Sequence, residues 1–178
     1  DGWIAAGFYF VWQIALFLAL GESFTAYGGA MALAAVAGAV SGLILGRFID
    51  AGHGRRAVWL AAGSLTVVIA FRAASCGDPV LAVVANAAGA VVPAFYVPTM
   101  MTAVYNQAKA SQCALRFHIA AEGGWDAGAA GGCIIAAALL RAGAPISLGI
   151  LLSLFGTAAI FTLLRRYYGE VSSTLYRE

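Results

Sequence analysis

Between Glu22 and Arg47 the chain runs 24 residues without a charge. A helix of about 20 apolar residues crosses the ~30 Å hydrocarbon core of a bilayer. Other apolar stretches repeat the pattern, so that six segments emerge at about 3–20, 25–46, 57–75, 80–105, 119–140 and 145–164. All must be helices. Lipid offers the backbone no hydrogen-bond partners, and segments of this length are too long for barrel strands. The expected fold is therefore an all-α membrane protein, with residues 1–178 forming a single six-helix transmembrane bundle.

Composition excludes most other classes. Hydrophobic residues make up 62% of the chain and charged residues 10%, against about 25% charged in soluble domains. A net charge of +2 with no basic run interleaved with aromatics gives no basis for nucleic-acid binding. Cys76, Cys113 and Cys133 have no metal-ligand spacing, so no metal or cofactor is expected. Cys76 and Cys113 fall on opposite sides of the expected membrane, so no disulfide is expected between them. No G-x-S-x-G or H-E-x-x-H motif appears, and an enzyme is not expected. The chain opens on Asp1, with no basic n-region or A-x-A site, and reads as a fragment cut close to the membrane rather than one led by a signal peptide.

Orientation follows from the basic residues. Arg47, Arg55, Arg56, Lys109, Arg116, Arg165, Arg166 and Arg177 fall on one side, and Arg72 and Arg141 on the other. The richer side is cytoplasmic by the positive-inside rule, and both termini face it. Arg72, near the end of the third segment, is expected to snorkel outward.

The loop after the second segment reads Gly46-Arg47-Phe48-Ile49-Asp50-Ala51-Gly52-His53-Gly54-Arg55-Arg56. It resembles the G-x-x-x-D-R-x-G-R-R/K loop between the second and third helices of the major facilitator superfamily. Ala51 stands where Arg is frequent, and Gly54 falls one residue late. The resemblance implies one six-helix half of a twelve-helix transporter working by alternating access. The short tail after the sixth segment favours the carboxyl-terminal half, with the amino-terminal half as the alternative. Gly46, Asp50, Gly54, Arg55 and Arg56 would then serve a cytoplasmic gate. The plain alternative is that the arginines only set topology and touch lipid phosphates.

The fifth segment carries charge where lipid should be. Its uncharged stretch, Ala127 to Leu140, holds 14 residues, or about 21 Å of helix. That falls about 9 Å short of the ~30 Å core, so Asp126 is expected inside the hydrocarbon zone with Glu122 at its cytoplasmic margin. An intramembrane charge costs at least ~2.5–3.5 kcal/mol and usually faces a cavity. His118, Glu122 and Asp126 share one helix face, as a proton relay would need. An ion-pair or hydrogen-bond cluster closing the cytoplasmic gate is the structural alternative. Gln13 and Asn86 are the expected polar lining of the same substrate or ion pathway.

Two columns of small residues allow close helix approach. One is Gly124, Gly128 and Gly132; the other is Ala34, Gly38, Gly42 and Gly46. They fit a missing partner surface, and packing within the bundle explains either column equally well. Pro93 and Pro98 are expected to kink the fourth helix.

The expected function is transport of a small, unidentified solute by a secondary active transporter, with proton coupling as the hypothesis that the helix-five carboxylates raise. The expected partners are the lipid bilayer and the complementary six-helix half. The expected location is the plasma membrane, or the inner membrane of a bacterium. A non-transporting scaffold assembled through the glycine columns is the alternative.

Overall fold

The computed structural model describes the backbone of residues 1–49 and 54–175 and the side chains of 1–44 and 56–169. Among the described residues every regular element is helical. In chain order they are α1 (Gly2–Ala19), α2 (Phe24–Ile49), α3 (Gly54–Ala74), α4 (Pro79–Ala110), α5 (Ala114–Arg141) and α6, which runs Ile146–Leu151 and resumes as Ser153–Leu175. Each contains a stretch long and apolar enough to cross a membrane. Large apolar side chains cover the outside: Phe24 is 82% exposed, Leu43 77% and Phe155 72%. Contiguous apolar surface of this kind is rare on soluble monomers and is what contact with a lipid bilayer requires.

The ends of the helices lie beyond some of the expected bounds. α5 begins at Ala114 rather than 119, so Arg116 and His118 belong to the helix. α4 continues past 105 to Ala110, with Lys109 in its last turn, where a cation complements the helix C-terminus. Its start is set locally. Asp78 accepts hydrogen bonds from the Val80 and Leu81 N–H groups at 2.8 and 2.9 Å, and Pro79 occupies the first helical position. The α1–α2 turn needs positive φ at Gly21 (66°) and also at Glu22 (59°), an uncommon conformation for a residue with a side chain.

The helices form two layers. α2, α4, α1 and α5 make a front row in that order, each packing on the next, while α3 and α6 pack on each other behind α4 and α1. α1 is the most enclosed, and Phe8, Trp12 and Leu16 enter a core with Leu65, Ile69 and Ile150. Close backbone approach makes this possible. A Cβ on Gly7 would overlap Ser153 Oγ, and one on Gly156 would stand 2.8 Å from Ile4 Cγ1. Ser153 donates to the Ile4 carbonyl at 3.0 Å. Trp3 Nε1 donates to the Leu152 carbonyl at 2.8 Å, where α6 is interrupted.

The glycine columns divide. Gly128 and Gly132 face α1 within the bundle, Gly38 faces Ala90 of α4, and Gly42 and Gly124 have nothing near them among the described residues. A Cβ at Gly132 would lie 2.6 Å from Ala6 Cβ, a rigid neighbour that cannot swing aside. Gly132→Val is therefore expected to destabilise the chain by about 1–3 kcal/mol through overpacking. Gly124→Ala should change stability by less than about 0.5 kcal/mol. Reversible unfolding in mixed micelles checks both values.

Candidate functional site

Arg72 corrects the outward-snorkelling expectation. It is 4% exposed, and its side chain enters the bundle. The reason is helix direction. Cα–Cβ bonds tilt toward a helix N-terminus, and for a residue near the end of α3 that direction leads into the membrane. Its Nη1 donates to the Phe8 carbonyl at 2.6 Å. The guanidinium carbon stands 4.1 Å from the Phe8 ring centre and 4.8 Å from that of Trp12. Gly89 of α4 completes the niche, since any Cβ there would overlap Nη2. Trp12 lies about 12 Å along α1 from Leu20 and Gly89 about 15 Å along α4 from Pro79, at 1.5 Å per residue. The cation thus sits near the middle of a ~30 Å slab.

The Phe8 carbonyl is available because α1 is not α-helical throughout. Ala6–Val11 is π-wound, and the Trp12 N–H bonds to the Gly7 and Tyr9 carbonyls instead of the Phe8 carbonyl that an α-helix would supply. A π turn is rare and often marks a functional position. α4 is irregular at the same level. Its helix breaks at Val92, and Pro93, lacking an N–H, cannot donate to the Gly89 carbonyl. Pro98 lies inside the continuing helix.

A second polar contact joins the same helices. Trp12 Nε1 donates to Asn86 Oδ1 at 3.0 Å, and Asn86 Nδ2 donates to the Ala30 carbonyl of α2 at 3.2 Å. Asn86 is 3% exposed, with both ends of its amide occupied. One turn toward the α1–α2 turn, the Tyr27 hydroxyl donates to Gln13 Oε1 at 2.7 Å. Four helices are clasped by Arg72, Trp12, Asn86 and Gln13.

Magnitudes explain how a bare cation is tolerated here. Its burial costs at least ~2.5–3.5 kcal/mol. A hydrogen bond from a charged donor returns about 1.5–3 kcal/mol, and a desolvated cation–π contact about 2 kcal/mol. Together they offset the cost without a carboxylate. Among the described residues Arg72 Nε has no hydrogen-bond partner.

The other residues named from the sequence lie elsewhere. Asp126 and Glu122 are exposed on α5, without an ion pair or side-chain hydrogen bond among the described residues. Asp126 follows Trp125, whose carbonyl touches Gly2 at the start of α1. His118 is half-buried, its ring 6.0 Å from Tyr105 and 5.9 Å from Phe117. Asp50 lies outside the described residues, and of Gly46, Gly54 and Arg55 only the helical backbone is described, while Arg56 is exposed on the first turn of α3. No metal-binding cluster occurs among the described residues.

Cys76, just past α3, is half-buried, and its Sγ lies 3.3 Å from the Arg72 carbonyl. Burial pushes its thiol above the usual range, outweighing the hydrogen bond from its own backbone N–H that lowers it. Less thiolate is then present at neutral pH, and thiolate is the reactive species. Cys76 is expected to label with maleimide more slowly than exposed Cys113 at neutral pH and to gain rate as the medium is made alkaline. Mass spectrometry of labelled peptides checks this.

No family model, curated protein or solved structure matches the chain. What the fold defines is an all-α protein with six candidate transmembrane helices, built around a buried intramembrane arginine.

Proposed function

We propose that the chain is one six-helix half of a secondary transporter of the major-facilitator type, moving a small solute by alternating access. The observation that carries this reading is the symmetry of helix packing. α1 packs on α5 and α6, while α4 packs on α2 and α3. Exchanging the first three helices for the last three maps one set of contacts onto the other and returns the α3–α6 pair to itself. With six spans α1 and α4 cross in opposite senses, so this exchange is the one expected of inverted repeats, the arrangement nested within each half of such transporters. The distribution of basic residues supports cytoplasmic termini.

Exposure supports the same reading. Only 11% of the α2 span and 17% of the α5 span are buried in the bundle, against 56% of α1. These two poorly covered helices carry Gly42 and Gly124, open to close approach, and α5 adds Glu122 and Asp126. Charges in a span usually face a bundle interior or a water-filled cavity, so a complementary half is the fitting cover. Asp126, Glu122 and Gln13 would border the pathway, with Asn86 holding its wall; Asp50, Arg55 and Arg56 would serve the cytoplasmic gate.

The open glycines also favour a second reading, a scaffold that assembles with its own copies. Cysteines placed at Gly42 and Gly124 separate the two. Crosslinks to a complementary half, with solute flux in proteoliposomes of the reunited protein, are expected. A discrete homodimer without flux would replace transport with scaffolding.

A further inference from the structure

We infer that Arg72 is a conformational latch: by occupying the Phe8 carbonyl it holds the π-wound turn of α1, and its withdrawal returns that turn to α-helix and rotates the outer half of α1. The inference needs only the membrane bundle and does not depend on transport.

Two donors compete for one carbonyl. In an α-helix the Phe8 carbonyl accepts from the Trp12 N–H; here the Trp12 N–H reaches Gly7 and Tyr9, and Arg72 Nη1 takes the Phe8 carbonyl at 2.6 Å. The guanidinium is held there by the Phe8 and Trp12 rings and by the Gly89 notch. Remove it, and a buried carbonyl is left without that donor. The nearest replacement is the α-helical bond, because a buried carbonyl must be satisfied.

Changing a π turn to an α turn shifts the helix by one residue, a rotation of about 100°. The anchors decide which end moves. The inner end is seated by backbone: Gly2 against the Trp125 carbonyl, Ala6 against Gly132, and Ser153 on the Ile4 carbonyl. The outer end is held by side chains alone, through the Trp12–Asn86 and Tyr27–Gln13 bonds and the packing of Trp12 and Leu16 in the core. The outer end turns. Trp12 then leaves Asn86, which also holds the Ala30 carbonyl of α2, so the latch links the twist of α1 to the α2–α4 contact.

Ile14 reports the rotation. It is 56% exposed while Ala15 beside it is 1% exposed, so a turn of about 100° carries position 14 toward the bundle. The test uses the full chain in lipid nanodiscs, with the native cysteines replaced and a nitroxide on Ile14→Cys, reading its collision rate with dissolved oxygen. Arg72→Met is expected to lower that rate several-fold. Deleting Phe10, an exposed residue within the π segment, removes the residue that the wide turn accommodates and should restore the rate in the Arg72→Met background. Loss of packing alone would not be rescued by a deletion. An unchanged rate in Arg72→Met, or a loss that the deletion leaves in place, overturns the latch. Should Arg72→Met fail to fold, Gly89→Ala, which displaces the guanidinium but keeps the charge, must lower the oxygen rate in the same way; an unchanged rate there also overturns it.

Discussion

Replacing Gly89 with valine is expected to unseat Arg72 and to destabilise the bundle by about 3–5 kcal/mol, the range for stranding a buried charge by removing its partners. A Cβ at position 89 would overlap Nη2 and Cζ, so the guanidinium must leave its place. The Phe8 and Trp12 rings pack on it, and the Phe8 carbonyl receives Nη1. Expulsion would therefore cost the charge-assisted hydrogen bond and the cation–π contacts together. The double variant Gly89→Val, Arg72→Met should lose much less than the sum of the two single changes, because residues in contact are energetically coupled. Unfolding of the four proteins in mixed micelles gives the cycle. Additive losses would show that the two residues do not share one niche.

If the chain works as the proposed transporter, Asp126→Asn is expected to abolish pH-driven solute accumulation by the reunited protein while leaving the fold nearly untouched. The carboxylate is exposed and without a partner among the described residues, so its replacement by a neutral group of the same shape should alter stability by less than about 0.5 kcal/mol. Asn mimics the protonated acid in size and charge but cannot release a proton. Solute exchange that moves no net proton should therefore persist. Proteoliposomes with and without an imposed pH gradient separate the two activities. Undiminished gradient-driven flux in the variant would remove the proton role.

The six spans were legible because charge-free runs of bilayer length have few alternatives in physics. Their ends were not. α5 starts at Ala114 because a helix continues through polar residues such as Arg116 and His118 once it leaves the apolar layer. The glycine columns were legible as close-approach surfaces, but periodicity alone does not say what approaches: Gly132 meets α1, while Gly124 meets nothing among the described residues. Arg72 was misread because nearness to a helix end suggests snorkelling; the tilt of its Cβ toward the α3 N-terminus was the signal available. The π turn had no such signal. No proline lies in the π segment, Gly7 beside Phe8 is common in ordinary membrane helices, and the partners Arg72, Asn86 and Gly89 lie far along the chain, so no local pattern marked it.

Position 126 offers the most direct test of the proposed pathway. With a nitroxide at Asp126→Cys and the complementary half present, power saturation against oxygen and a polar nickel relaxant reports depth and surroundings. The expected result is strong collision with the nickel complex at a depth below the lipid headgroups, the signature of a water-filled pathway. Collision dominated by oxygen, or a depth level with the bulk cytoplasm, would contradict it.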